Sequence, residues 1–160
     1  MVPISRRQAR EWAVQMLFAA DQNPPADVDA FVADGWSQLR GLDKADGATE
    51  VMPARLRRFA EERVRGVLGS LAEIDEALSG LLDNWALDRL GAVERVVLRL
   101  GVWEMKNTDV PKAVIINEAI DLANWFSSPK SRTLVNGVLD KYGKMLAKES
   151  GRVENEERVG

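Results

Sequence analysis

The residues best suited to chemistry are three arginines near the start of the chain, Arg6, Arg7 and Arg10. Arg6 and Arg10 are four residues apart and would share a helix face, while Arg7 would lie about 100° round from Arg6. Guanidinium groups match phosphate geometry and can also stack on unpaired bases. The alternative, which composition alone favours, is that the arginines only solvate an exposed helix. Positive charge at a helix N-terminus opposes the macrodipole, however, and so lowers the stability of the helix. This cost indicates that the arginines have a role other than stability.

Three carboxylates, Glu94, Glu104 and Glu118, are the other candidates, as general acids or bases. The chain has no Cys and no His, which excludes disulfides, a thiolate nucleophile, a Cys or His zinc site and an imidazole relay. No nucleophile or ligand cluster accompanies the carboxylates, and helix capping or ion pairing accounts for them equally well. We therefore expect no catalytic site, no bound metal and no cofactor.

The distribution of charge matters more than its sum. The net charge of -3 argues at first against a nucleic-acid partner. Residues 1–20, however, carry three Arg against one Glu, and residues 112–148 carry six basic against three acidic residues. Residues 21–52 carry seven acidic against two basic residues. Two basic ends thus flank an acidic middle, and they would form a basic patch if they meet in space.

Composition and hydropathy indicate a globular chain. The 160 residues fit one domain, or two small ones that share a core, and 46% apolar with 29% charged residues is close to the globular average. No run of about 18 apolar residues could span a bilayer, and the first residues lack the apolar segment of a secretory signal. We therefore expect a cytoplasmic protein with no membrane contact.

The apolar residues follow a helical period almost everywhere, which predicts an all-α fold. The first helix should open at Ser5, with Gln8 at capping-box spacing, and end near Asn23. A second helix fits Asp27 to about Arg40, followed by a loop over 41–52. The apolar face of the first helix comprises Ala9, Trp12, Ala13, Met16, Leu17 and Ala20. Phe18, like Trp12, is expected in the core.

The rest of the chain predicts five further helices and a tail. Apolar positions from Pro53 to Trp85 run too long for one ordinary helix, so we expect a break at Gly69–Ser70. Further helices fit about 92–106 and 112–126, and Ser128–Pro129 signals the start of the last one. Asn136–Gly137 inside that helix suggests close helix packing or a backbone approach. Residues 149–160 are charged and are expected to be a frayed, flexible tail.

Taken in order, several segments resemble one family, the NusB transcription antitermination factors. The first helix, residues 6–18, is similar to the family's arginine-rich opening. The stronger match consists of Val93-Glu94-Arg95-Val96-Val97-Leu98-Arg99, then Glu104, Val110-Pro111, Ile116-Asn117-Glu118-Ala119-Ile120, Leu122-Ala123 and Val135-Asn136-Gly137-Val138-Leu139-Asp140. The resemblance covers residues 5–146, with 24–55 matching poorly, and the ordered set is highly specific.

This resemblance implies two perpendicular three-helix bundles with about seven helices and no catalytic activity. The domain would cover 1–148, with subdomains of roughly 5–70 and 71–147. Family members bind the boxA element of ribosomal RNA leader transcripts jointly with ribosomal protein NusE, and so help RNA polymerase resist termination. Other proteins of the antitermination complex, and RNA polymerase itself, would be indirect partners. Family members occur as monomers and dimers, so the resemblance does not decide whether this protein forms a homodimer.

The resemblance also assigns roles to individual residues. It makes Arg6, Arg7 and Arg10 RNA-binding candidates. Lys130 and Arg132 lie in the first turn of the last helix, where the macrodipole again disfavours positive charge, and would extend their patch. Leu134 stands where the family often has an aromatic residue that could stack on a base, so this protein alone should bind RNA more weakly. A plain core role for Leu134 is the alternative. Glu94 matches a family position at the surface that meets NusE, which makes it the partner-binding candidate.

Two other functions compete with this interpretation. One is an RNA-binding module like the NusB-like domain that precedes some ribosomal RNA cytosine methyltransferases. For that enzyme we would expect a longer chain with a glycine-rich cofactor loop and a cysteine nucleophile, which the sequence does not contain. The other is a helical scaffold that binds only protein, with the basic ends incidental. Protein contacts with RNA phosphates would distinguish an RNA-binding protein from such a scaffold, because they make the affinity depend on salt concentration.

Overall fold

The fold is helical, as the periodicity predicts. The structure is a computed structural model that describes residues 5–45, 52–82, 87–126 and 130–159. Within those ranges it contains no strand. The helices are α1 (Arg6–Gln22), α2 (Val28–Ala45), α3 (Ala54–Gly69), α4 (Leu71–Leu81), α5 (Ala92–Asn107), α6 (Lys112–Phe126) and α7 (Lys130–Val159), with a 3-10 turn at Leu87–Arg89. No helix in the described ranges combines the length and apolar character needed to cross a membrane.

The chain divides into two compact units, Met1–Ser70 and Leu71–Gly160. The first unit contains α1, α2 and α3. A capping box starts α1: the Ser5 backbone N–H donates to the side chain of Gln8 at 2.8 Å. Each of the six apolar residues predicted for the face of α1 is buried. Trp12 of α1 stacks on Trp36 of α2, with ring centroids 3.8 Å apart, and this pair joins the two helices.

The second unit is organised around α5, which packs against α4, α6 and α7. Its residues 96–98, 100 and 102 are buried almost completely. Gly101 permits the close approach of α7, because a Cβ atom there would lie 2.8 Å from the Leu139 side chain. Arg99 of α5 makes a two-pronged ion pair with Asp75 of α4, with both N–O distances 2.8 Å.

Several helix boundaries test the sequence analysis. The predicted break at Gly69–Ser70 is confirmed, since α3 ends at Gly69 and α4 begins at Leu71. The second helix is longer than expected, because α2 continues through residues predicted as loop and ends at Ala45. The expected frayed tail is also wrong as to conformation, because α7 continues to Val159. Both extensions lack Pro, and the tail is rich in the helix formers Glu and Arg.

Two predictions about individual side chains are wrong. Phe18 was expected in the core, but it is 40% exposed. Asn136 and Gly137 were expected at a close helix contact or a close backbone approach, but both are exposed, and a Cβ added at Gly137 would meet nothing within 4 Å. The reason is that both lie on the solvent side of α7, while Val135, Val138 and Leu139 face the core. The apolar position Trp85 and the start signal Ser128–Pro129 lie outside the described residues.

Candidate nucleic-acid interface

The three arginines of α1 differ in exposure. Arg6 and Arg7 are exposed at the start of the helix, whereas Arg10, one turn after Arg6, is only 4% exposed. The alternative interpretation, in which all three arginines only solvate an exposed helix, is therefore wrong for Arg10. The physical reason is an aromatic ring from α3: the guanidinium carbon of Arg10 lies 5.0 Å from the centroid of Phe59.

The ring of Phe59 contacts two further guanidinium groups. The guanidinium carbon of Arg6 lies 5.5 Å from the ring centroid, and that of Arg63 lies 3.4 Å from it. Arg63 is 3% exposed, and its Nη1 donates to the backbone oxygen of Phe59 at 3.2 Å. We call Arg6, Arg10, Arg63 and Phe59 the guanidinium cluster. Arg6 is its exposed arginine, while Arg10 and Arg63 are buried.

The sequence does not reveal this cluster, because its members come from distant parts of the chain. The only local signal was the spacing of Phe59 and Arg63, four residues apart and so on one face of α3. Nothing in the spacing indicates that this face meets α1. The contacts of Phe59 thus bring arginines of α1 and α3 together within the first unit.

Phe18 is a second missed candidate for RNA binding. It lies 11 residues after Arg7, about three turns or roughly 16 Å along α1, so the two side chains share a helix face. A large exposed aromatic side chain on the face of a basic residue suits stacking on an unpaired base. The spacing was visible in the sequence, but the apolar stripe of α1 suggested the core.

In the second unit, Lys130 and Arg132 are exposed in the first turn of α7, as expected for residues that extend a basic surface. Ser131 between them is buried, and its hydroxyl donates to a carboxylate oxygen of Glu94 on α5. This hydrogen bond turns Ser131 inward and leaves its two basic neighbours directed to solvent. Glu94 is half-buried, and its hydrogen bond with Ser131 places it beside the basic turn of α7.

Leu134 lies one turn further along α7 and is half-buried. That environment matches neither a fully buried core residue nor a fully exposed one, so both of its proposed roles remain predictions. Within the described residues, no group of three or more acidic side chains could hold a metal ion. The sequence contains no His or Cys that could replace them.

The chain is similar to known antitermination proteins along most of its length. The model of the NusB family matches residues 7–144. A transcription antitermination protein NusB of Sorangium cellulosum is 39% identical over 153 residues, which cover 95% of this chain and 98% of the relative. The corresponding protein of Anaeromyxobacter sp. (strain Fw109-5) is 38% identical over 151 residues, covering 94% and 98%.

Solved structures give the same result. NusB of T. maritima superposes with a TM-score of 0.74 at 29% identity, covering 89% of this chain and 93% of that structure. A chain in a complex of the antitermination factors NusB and NusE with double-stranded RNA has a TM-score of 0.70 at 25% identity, covering 88% and 96%.

Proposed function

The chain belongs to the NusB family, and we propose that it is a transcription antitermination factor that binds boxA RNA jointly with NusE, without catalysis. The observation that carries the proposal is the exposed basic start of α1, Arg6 and Arg7, in a chain that matches this family over residues 7–144. A related NusB was solved together with NusE and RNA, which supports both partners.

The first unit would supply the main RNA-binding surface. Arg6 and Arg7 offer exposed guanidinium groups for phosphate oxygens, and Phe18 offers an exposed ring on the face of Arg7. Arg10 would contribute its charge from inside the guanidinium cluster. The roughly 16 Å between Arg7 and Phe18 along the helix would let one strand contact the phosphate site and the ring at once.

The second unit would add Lys130 and Arg132, with Leu134 beside them. Its Glu94 remains our candidate for contact with NusE. Because the protein has a net charge of -3 and lacks an aromatic residue at position 134, we expect weak RNA binding by the protein alone. Joint binding with NusE would link two weak contacts and raise apparent affinity by about 10² to 10⁴.

The remaining partners follow from the same role. Other proteins of the antitermination complex and RNA polymerase would be reached through the RNA-bound complex, and such a factor would act in the cytoplasm, where transcripts are made. Analytical ultracentrifugation of the free protein would decide whether it forms a homodimer.

The decisive experiment is a gel shift with a boxA RNA oligonucleotide, with and without purified NusE. We expect a faint shift with the protein alone, a strong shift with both proteins, and little shift with a scrambled RNA of equal length. The log of the affinity should fall linearly with log salt concentration. Association with NusE but no RNA shift under any condition would instead support a helical scaffold that binds only protein.

A further inference from the structure

We propose that Phe59 is a positioning residue for RNA binding, because its ring holds the exposed guanidinium group of Arg6 in place before RNA arrives. The inference rests on the proposed function and adds to it a residue of α3 that does not itself contact RNA. It also predicts that α3 contributes to RNA binding through Arg6 of α1.

The geometry of the guanidinium cluster carries this inference. The guanidinium carbon of Arg6 lies 5.5 Å from the centroid of Phe59, within the roughly 6 Å over which a cation and an aromatic ring attract each other. Phe59 is itself half-buried, and Arg10 and Arg63 also lie against its ring, at 5.0 and 3.4 Å. A ring packed in this way has little freedom to move, so it provides a fixed support for Arg6.

Exposure distinguishes Arg6 from the other two arginines. Arg10 and Arg63 are 4% and 3% exposed, so a phosphate has almost no access to them. Arg6 is exposed while its guanidinium group still lies over the ring. It is therefore the arginine of the guanidinium cluster that can contact the ring and an RNA phosphate at the same time.

Positioning matters because a long side chain loses conformational freedom when it binds. An arginine that is fixed beforehand loses less of this freedom, so more of its interaction with phosphate appears as affinity. Losing a ring contact of exposed cation–π strength should weaken RNA binding about two- to fivefold. The loss should occur only when Arg6 is present to be positioned.

A double-mutant cycle tests the inference. Binding of a fluorescent boxA RNA oligonucleotide, in the presence of NusE, is measured for the wild type, Phe59→Leu, Arg6→Ala and the double variant. We expect Phe59→Leu to weaken binding about two- to fivefold in the wild-type background and not at all in the Arg6→Ala background. Phe59→Tyr keeps the ring and should keep wild-type affinity. Phe31→Leu removes a half-buried ring of α2 in the same unit and is the matched control, with no expected effect.

Folding is monitored separately, because Phe59 also contacts two buried arginines. If Phe59→Leu fails to fold, fluorinated phenylalanines at position 59 replace it, since they keep the shape of the ring while withdrawing the electrons that attract the cation. Affinity should then fall with each added fluorine in the wild-type background, and should not change in the Arg6→Ala background.

The outcomes separate this inference from the proposed function. An equal loss of affinity in both backgrounds would mean that Phe59 only stabilises the fold, and it would overturn the inference while RNA binding stands. No loss from Phe59→Leu, or no effect of Arg6→Ala, would overturn it as well. Absence of RNA binding by the wild type with NusE would instead refute the proposed function.

Discussion

Reversing the charge of Arg7 should weaken RNA binding, whereas reversing the charge of Arg10 should destabilise the fold, because the two residues differ in burial. Arg7 is exposed, and surface substitutions usually change stability by less than about 0.5 kcal/mol. Arg7→Glu should therefore leave the melting temperature within a few degrees. Its effect on RNA binding should be large, since an attractive contact with a phosphate becomes repulsive.

The size of that effect follows from Coulomb's law. Two unit charges about 4 Å apart in water interact by about 1 kcal/mol, so reversing one charge changes the binding free energy by about 2 kcal/mol. Because about 1.4 kcal/mol is a factor of ten, Arg7→Glu should weaken boxA binding at least tenfold at low salt. The slope of log affinity against log salt should also become less steep by about one unit.

Arg10→Glu should act on the fold instead. Arg10 is 4% exposed and lies against Phe59, so the substitution removes a cation–π contact and buries a carboxylate in its place. Disrupting a buried charged contact typically costs about 3 to 5 kcal/mol. For a chain of this length that corresponds to a fall in melting temperature of about 6 to 20 °C.

The assays are fluorescence anisotropy with labelled boxA RNA over a salt series and thermal unfolding followed by circular dichroism. Arg6→Glu and Gln15→Glu, at other exposed positions of α1, provide comparisons for a contact arginine and for a change of charge alone. If Arg7→Glu binds RNA as the wild type does, α1 does not hold the RNA. If Arg10→Glu melts like the wild type, burial of Arg10 does not contribute to stability as argued.

Three further predictions concern the second unit. Glu94→Lys should weaken association with NusE far more than it weakens binding of RNA alone, as measured by pull-down and anisotropy. An equal loss from Ser131→Ala, which removes the hydrogen bond to Glu94 but keeps the charge of Glu94, would show that the effect is structural. Leu134→Phe should tighten RNA binding by the free protein by at most about 1 to 3 kcal/mol, and no gain would argue for a core role. The single tyrosine, Tyr142, should ionise above its ordinary pKa of 10.0, because burial and the nearby charge of Glu149 raise the pKa of its hydroxyl. The raised pKa of Tyr142 contributes stability to the folded protein below pH 10, and this contribution is lost as the pH rises through the pKa of the folded state. Absorbance measured at alkaline pH should therefore show that the tyrosine ionises at a lower pH in the unfolded chain than in the folded protein.

Local signals predicted much of the fold. The capping box at Ser5, the buried face of α1 and the break at Gly69–Ser70 depend on residues within one or two turns of each other, and all three are confirmed. The ends of α2 and α7 could not be predicted equally well. No Pro ends either helix, so the polar and charged residues beyond the last apolar turn remain compatible with a helix.

The candidate site depends on contacts between helices, and these were not visible in the sequence. An apolar stripe shows which side of a helix is buried but not which residues of another helix cover its edges. Phe59 covers Arg10 from a position 49 residues away, while Phe18, which also lies beside the apolar stripe of α1, stays exposed. Because the sequence does not show which residues beside the stripe are covered, Arg10 was interpreted as exposed although it is buried, and Phe18 was predicted to be buried although it is exposed.

The contacts of Phe59 also change what the position of the arginines in α1 implies. Positive charge in the first turn of a helix costs about 0.3 to 1 kcal/mol, which by itself suggested a role beyond stability. A cation–π contact contributes a similar amount, so the ring offsets this cost for Arg6. Unfavourable placement is therefore no longer an argument for RNA binding at this position. Solvent exposure is the stronger criterion, because an arginine that serves only the fold can be enclosed, as Arg10 and Arg63 are.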